Sequence, residues 1–230
     1  MAALKVLLVA LVTAVVGANS NHKFVTEVRQ KFKPNINDAI VGQIQKELTA
    51  SYVYQAYASW FGRADVALPG FQKFFSEASK EERDHAQKLI DYVNMRGGHV
   101  QYHPINFNDA CDVMANATYK MTDRSRACIC EFLWTQSRKQ CGASQEIQYG
   151  LQAMEDALAL ERYVNDLLLS LHQQADDAED PHLTHVLEHE FLEEQVTSIR
   201  ELAGYVTRLR SFKSSGYALG EYMFDQKLQS

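Results

Sequence analysis

Two residues that can bind a metal, Glu82 and His85, occupy positions where a helix should be apolar. The surrounding segment carries apolar side chains at helical spacing: Phe71, Phe75, Ala78, Leu89 and Val93. At about 100° per residue, Glu82 falls near the centre of that stripe and His85 falls beside it. Burying a charge is costly unless the charge is paired or coordinates a metal. A buried Glu–His hydrogen bond and a metal site both explain this pair.

The other long amphipathic segments also carry polar residues on their inward faces. These residues are Glu47 and Tyr54 in the first segment, Glu161 in the third and Gln195 in the fourth. Three inward glutamates beside one histidine repel one another unless a cation lies between them. Oxygen-rich ligation with a single imidazole suits iron better than a closed tetrahedral zinc site. We therefore favour a di-metal site, bridged by Glu82, over a metal-free polar core.

The periodicity predicts an all-α fold with four long helices and a short fifth one. The expected helices span about 37–61, 69–96, 146–174, 180–210 and 217–227. Short links join the first helix to the second and the third to the fourth, so each pair is antiparallel. The long middle connection can cross the length of a helix, about 42 Å for 28 residues. These lengths predict a four-helix bundle with one long crossover, whereas cytokine bundles need two.

The N-terminus is typical of a secretory signal peptide over residues 1–18. Lys5 precedes the apolar run Val6 to Val16, and the small residues Gly17 and Ala18 follow. The apolar run is too short to span a bilayer, so we expect a secreted protein without a membrane anchor, its mature domain covering 19–230. A formal net charge of −6 provides no basic surface for nucleic acid.

The crossover, about 99–145, loses helical periodicity and contains all four cysteines: Cys111, Cys128, Cys130 and Cys141. It also holds the N-glycosylation sequon Asn116-Ala117-Thr118. A disulfide between Cys128 and Cys130 would be strained, so each is expected to pair with Cys111 or Cys141, in an order the spacing leaves open. A cysteine metal site is the alternative, and an oxidising compartment disfavours it.

Several ordered motifs resemble the eukaryotic ferritins of heavy-chain, catalytic type, over about residues 35–98 and 146–228. They are the runs ELTASYVY (47–54), EERDHA (81–86), RGG (96–98), DPHL (180–183), EQV (194–196) and GEYMFD (220–225). The resemblance implies a ferritin-like four-helix bundle. It also implies ferroxidase activity, in which Fe²⁺ is oxidised by dioxygen and the ferric product is stored as a mineral inside a cage of 24 subunits.

The same resemblance implies roles for the inward residues. Glu47, Glu82 and His85 would hold the first iron, and Glu82 would bridge to a second iron held by Glu161. Gln195 and Tyr54 would support that second position. Only the second helix carries Glu-x-x-His, unlike the bacterial di-iron pattern, which has two such motifs.

Two further sets of residues match functional positions of the family. Glu77, Glu81 and Asp84 match the carboxylates that nucleate mineral, although a solvated helix face explains them as well. A second set matches the lining of the three-fold iron channel: His172, Thr184, His185 and Glu188. His185 stands where the family commonly has aspartate, so we expect iron uptake to be slower or more dependent on pH. Lys227 stands where a pore histidine is often found.

The signal peptide and the enlarged crossover resemble secreted invertebrate ferritins, in particular the yolk ferritins of molluscs. In a cage the crossover would lie on the outer surface. The expected partners are Fe²⁺, dioxygen and further ferritin subunits, of the same or a second type. The main alternative is a non-catalytic yolk or storage subunit, which would lack the metal ligands. A secreted signalling bundle has no use for inward glutamates.

Overall fold

The computed structural model describes residues 27–116, 135, 148–212 and 214–230. The described residues form helices and contain no strand. The proposed signal peptide, Cys128, Cys130, Cys141 and two of the three sequon residues lie outside them.

Four long helical stretches form the bundle. They are α1 (Pro34–Phe61), α2 (Pro69–Met95), α4 (Tyr149–Asp177) and a fourth stretch in three parts. That stretch comprises α5 (Pro181–Leu187), a π-helical turn (Glu188–Leu192) and α6 (Glu193–Ser211). A short α3 (Phe107–Asn116) lies in the crossover, and α7 (Tyr217–Gln229) follows the bundle. The predicted all-α bundle with a short C-terminal helix is confirmed.

Contacts between side chains fix the helix directions. On α1 and α2 the hydroxyls of Ser51 and Ser79 each donate to the other residue's carbonyl, at 2.6 and 2.8 Å. As the residue number rises along α1, the number of the residue that it contacts falls along α2 and along α4. Helix α1 is therefore antiparallel to both α2 and α4. Consequently α2 and α4 run parallel to each other, which is why the chain needs the long crossover between Met95 and Tyr149.

The apolar core consists of two clusters separated along the bundle. One contains the aromatic residues Trp60, Phe61, Phe71 and Phe75 and is closed by α3 and α7. The other begins with Phe32 and includes Ile40, Leu89, Leu168 and Phe191. Buried polar residues from all four long stretches fall between these clusters, namely Glu47, Glu82, His85, Glu161 and Gln195. The bundle therefore places a polar layer at mid-height, with apolar packing on either side.

Some helix ends differ from the prediction. The first helix begins at Pro34 rather than near Asn37, because proline is favoured in the first turn and Lys33 before it is extended. Helix α4 begins at Tyr149 and continues to Asp177, three residues beyond the expected end. Asp180 caps the next helix by accepting from the Leu183 amide at 3.2 Å, as the Asp-Pro pair predicts.

Two local features of the helices were missed. The sequence of the crossover loses helical periodicity, yet α3 buries one face through residues spaced as in a helix: Phe107, Ala110, Cys111 and Met114. Phe107 also stacks on Tyr52 at 5.1 Å, and Lys46 pairs with Asp109 at 2.7 Å. The fourth stretch was expected to be a regular helix, but the turn at Glu188–Leu192 is π-helical. Such turns are rare and are frequently found at functional sites.

Candidate metal centre

Three buried side chains from α1 and α2 converge in the polar layer. Glu47, Glu82 and His85 are only 1%, 3% and 5% exposed. Each offers a ligand atom, and these three atoms all lie within 4.8 Å of one another. Two helices packed side by side thus supply two carboxylates and one imidazole to a single point, as the helical spacing predicts.

The carboxylates of this group each keep one oxygen without a hydrogen-bond partner among the described residues. Gln43 Nε2 donates to Glu47 Oε1 at 2.7 Å, whereas Glu47 Oε2 and Glu82 Oε2 are buried and unpartnered. Buried polar atoms are nearly always hydrogen-bonded, so such orphans call for an explanation. Two free carboxylate oxygens beside an imidazole nitrogen are what a metal ion requires.

His85 is oriented by a residue to which the sequence analysis assigned no role. Its Nε2 lies 3.0 Å from Glu194 Oε2, and its Nδ1 lies 3.6 Å from Glu82 Oε2. A carboxylate accepts, so Nε2 carries the hydrogen of this bond, and the other ring nitrogen is directed at the buried group. Burial lowers the pKa of His85, but the Glu194 hydrogen bond and nearby carboxylates outweigh it and raise the pKa overall.

Glu161 of α4 is held on the other side of the layer by two donors. Tyr54 donates its hydroxyl to Glu161 Oε1, and Gln195 Nε2 donates to Glu161 Oε2 at 2.9 Å. Gln195 Oε1 is buried and has no hydrogen-bond partner within the described residues. Burial, followed by the charge of Glu161, raises the pKa of Tyr54 well above its ordinary value. Tyr54 therefore stays protonated and can donate.

Electrostatics also favour a cation in this layer. Burial, followed by the charges of Glu161 and Glu47, raises the pKa of Glu82 well above its usual range. Burial also raises the pKa of Glu47. Both shifts express mainly the cost of burying a carboxylate charge, to which the neighbouring charges add at Glu82, and a bound cation would offset this cost. The oxygen-rich donor set with one imidazole fits iron.

A cavity of about 420 Å³ leads to this group. Its lining combines residues of the centre with acidic residues nearer its mouth, namely Glu77, Glu81, Glu194 and Glu201. Burial and the neighbouring Glu194 raise the pKa of Glu81. Among the expected nucleation residues, Glu77 and Glu81 thus line the cavity, whereas Asp84 is exposed and is not part of the lining. Lys227 from α7 also lines it.

The expected channel residues lie together near the α4–α5 connection, apart from the centre. His172 Nε2 lies 2.9 Å from Glu188 Oε1, and Thr184 donates to the Pro181 carbonyl at 3.0 Å. The ring of His185 lies 4.1 Å from that of His189, measured between centroids. A three-fold channel involves three subunits, so a single chain places these residues without forming the channel.

The sequence pattern does not identify two residues that support the group, Gln43 and Glu194. Gln43 precedes Glu47 by four residues on α1, a spacing that brings side chains together. Glu194 adjoins Gln195 and lies about 100° away from it on a regular helix, off the inward face. The π-helical turn just before it could not be read from the hydrophobic pattern.

Within the described part of the chain, no helix is both long and apolar enough to cross a membrane.

Comparisons with known proteins agree with this geometry. A family model described as a ferritin-like domain matches residues 37–129 and 136–212. The yolk ferritin of Lymnaea stagnalis is 55% identical, over 86% of this chain and 87% of that protein. The soma ferritin of the same organism is 41% identical, over 90% of this chain and 97% of that protein. The ferritin heavy chain of Echinococcus granulosus is 42% identical, over 87% of this chain and 94% of that protein. The chain belongs to the ferritin family, whose members store iron.

Proposed function

We propose that this protein is a catalytic ferritin subunit that oxidises Fe²⁺ with dioxygen at the centre formed by Glu47, Glu82, His85 and Glu161. The observation that carries the proposal is the convergence of Glu47, Glu82 and His85, with two buried carboxylate oxygens left free for a metal. A subunit that only stores mineral has no need for this arrangement, because burying unpaired carboxylates is costly.

The residues would form two binding positions for ferrous ions, which are the substrate. Glu47 and His85 would bind the first ion, Glu161 the second, and Glu82 would bridge them. Gln195 and Tyr54 fix the carboxylate of Glu161 through their hydrogen bonds. Each Fe²⁺ loses one electron, and dioxygen takes both together with two protons to give hydrogen peroxide. Few protein ligands leave open positions for dioxygen or water.

The acidic cavity supports a path for iron to and from the centre. Carboxylates along its wall, among them Glu77, Glu81 and Glu201, provide a negative field that concentrates cations. We propose that ferric product leaves the centre through this cavity and that Glu77 and Glu81, with Asp84 nearby, help to nucleate the mineral. His172, Thr184, His185 and Glu188 would line the channel through which Fe²⁺ arrives in an assembled cage.

The assembly and its location follow from the resemblance and the N-terminal pattern. We propose a cage of 24 subunits, formed by this chain alone or with a second ferritin subunit. Residues 1–18 would direct the chain to the secretory pathway. Asn116 is exposed at the end of α3, so its side chain is accessible for a glycan. The four cysteines would form disulfides in that compartment. N-terminal sequencing near Asn19 and a glycosidase-dependent change in mass would test these statements.

Stopped-flow measurement of Fe²⁺ oxidation tests the enzyme. We expect rapid oxidation by the assembled protein and a fall of at least about tenfold with Glu82→Gln, which keeps the side-chain volume and removes a ligand charge. The matched control is Glu193→Gln, the same change at an exposed position of α6. Equal rates for Glu82→Gln and the unaltered protein would refute the assignment.

The alternative is a non-catalytic yolk or storage subunit. The 55% identity with a protein named yolk ferritin favours it, whereas the intact ligand set does not. If this reading were correct, the unaltered protein would oxidise Fe²⁺ no faster than Glu82→Gln, while still retaining ferric mineral.

A further inference from the structure

A second buried tyrosine–carboxylate pair lies one helical turn from the centre. Tyr57 of α1 donates its hydroxyl to Asp156 Oδ2 of α4, repeating the bond between Tyr54 and Glu161. Tyr57 is 1% exposed and Asp156 is fully buried. Gln152 Nε2 also donates to Asp156 Oδ2, at 3.4 Å. Two hydrogen bonds of the same kind, each from a tyrosine hydroxyl to a carboxylate, thus join the antiparallel helices α1 and α4.

Packing alone does not explain this second pair. Exchanging a buried polar or ionic pair for well-packed apolar residues is often neutral or stabilising. Tyr57 belongs to the aromatic cluster, and the neighbours of Asp156 on α4 that belong to it, Ala153 and Ala157, are apolar. Neither Tyr57 nor Asp156 is among the proposed metal ligands, so their pair points to a role other than ligation.

The ring of Phe75 connects the two tyrosines. Its centroid lies 5.9 Å from that of Tyr54 and 5.1 Å from that of Tyr57. Tyr54 and Tyr57 are three residues apart on one helix, a rise of about 4.5 Å. An electron can cross such a distance between aromatic rings readily. Losing an electron makes a phenol strongly acidic, so its proton must leave at the same time.

We propose that Tyr57 is a reserve electron donor for the metal centre, acting through Tyr54, with Asp156 as the acceptor of its proton. This role rests on the proposed function, because oxidation of iron by dioxygen supplies the hydrogen peroxide involved. A centre that holds only one Fe²⁺ reduces peroxide by one electron and releases hydroxyl radical. A second electron from Tyr57 prevents that release.

The step balances in electrons and protons. Fe²⁺ gives one electron and becomes Fe³⁺, and Tyr57 gives the other. Hydrogen peroxide takes both electrons with two protons from solvent, and its O–O bond breaks to form two water molecules. The proton of Tyr57 passes to the carboxylate of Asp156, which leaves a neutral tyrosyl radical beside a carboxylic acid. Tyr54 relays the electron: its proton moves to Glu161 when it is oxidised and returns when Tyr57 reduces it.

The experiment uses the assembled protein, loaded without oxygen with one Fe²⁺ per subunit and mixed with one equivalent of hydrogen peroxide. Freeze-quench electron paramagnetic resonance measures the tyrosyl radical, and a spin trap measures hydroxyl radical. The double variant Tyr57→Phe/Asp156→Asn avoids a buried unpaired charge. We expect its radical yield to fall several-fold and trapped hydroxyl radical to rise several-fold.

A second variant separates proton transfer from structure. Asp156→Asn keeps an oxygen that accepts the Tyr57 hydrogen bond but cannot take its proton, so we expect the same spectroscopic loss. The control is Tyr205→Phe, since Tyr205 also donates to a carboxylate, Glu201, but is outside the buried pair. Its radical yield should match that of the unaltered protein.

Unchanged radical yield and decay in both the double variant and Asp156→Asn would overturn the inference. A loss of tyrosyl radical that is confined to Tyr205→Phe would also overturn it. Oxidation of Fe²⁺ by dioxygen is measured on the same preparations. If the unaltered protein oxidises iron rapidly while its radical does not depend on Tyr57, the inference alone fails. If the unaltered protein does not oxidise iron with dioxygen, the proposed function fails.

Discussion

Glu194 determines which nitrogen of His85 faces the proposed metal centre. Its carboxylate lies 3.0 Å from Nε2, and the hydrogen bond with His85 lowers the pKa of Glu194. Glu194 is therefore ionised, and it holds the ring with Nδ1 directed at Glu82. Partners of this kind commonly strengthen metal binding through the ligand they orient.

The substitution Glu194→Gln should weaken the first metal position. Because glutamine can turn its amide and carries no charge, we expect the affinity for Zn²⁺, a redox-inert probe, to fall about 10–100-fold. Isothermal titration calorimetry measures it. Glu193→Gln, the adjacent exposed residue, should bind Zn²⁺ as the unaltered protein does. An affinity for Glu194→Gln equal to that of this control would show that Glu194 does not orient the ligand.

The raised pKa of Glu82 makes the stability of the metal-free protein depend on pH. An acid whose pKa is higher in the folded state binds more protons folded than unfolded, so folding is favoured at low pH. The contribution is complete below the usual carboxyl range and is lost as the pH rises through the raised pKa. We expect the thermal midpoint of metal-free protein to fall over that interval, and Glu82→Gln to flatten the fall. A midpoint equally dependent on pH in both proteins would contradict this.

At the scale of elements, a buried carboxylate of α7 connects this helix to the start of α2. Asp225 Oδ1 accepts from the amides of Gly70 and Phe71, at 2.7 and 3.0 Å, at the first turn of α2. Its Oδ2 accepts from Gln229 at 2.9 Å. A Cβ on Gly70 would lie 1.9 Å from the Asp225 carbonyl oxygen, so only glycine permits this approach.

Asp225→Ala should therefore loosen α7 and the start of α2 together. Removing a buried acceptor leaves the two amides unpaired, which costs roughly 1–3 kcal/mol. Hydrogen–deuterium exchange should increase for peptides covering 69–75 and 217–229. Gln226→Ala, an exposed neighbour, should exchange normally. Protection of both segments in Asp225→Ala would show that the other contacts of α7, namely the packing of Phe224 and the hydrogen bonds that Tyr217 and Glu221 accept from α4, are enough to fix it.

The hydrophobic pattern predicted the bundle because its four long stretches bury continuous faces at a 3.6-residue period. Ile40, Ile44, Glu47 and Tyr54 are all buried on α1, as that period requires. Two features could not be predicted so directly. Helix α3 is too short for its period to stand out, and the π-helical turn depends on tertiary packing.

At the scale of the molecule, the centre lies between two apolar clusters that exclude water from above and below. The acidic cavity provides access from one side. Large apolar side chains remain exposed on the isolated chain, among them Val196, Leu219 and Met223. Exposed apolar residues in such number are typical of surfaces that meet other subunits, which accords with the proposed cage.

The central claim is that Glu47, Glu82, His85 and Glu161 together hold two metal ions. Crystals of the protein soaked in Zn²⁺ test it directly, because anomalous diffraction locates each ion. We predict one ion about 2.0–2.2 Å from ligand atoms of Glu47, Glu82 and His85, and a second at similar distances from Glu82 and Glu161. Absence of anomalous density between these residues in crystals with occupied sites elsewhere would contradict the account.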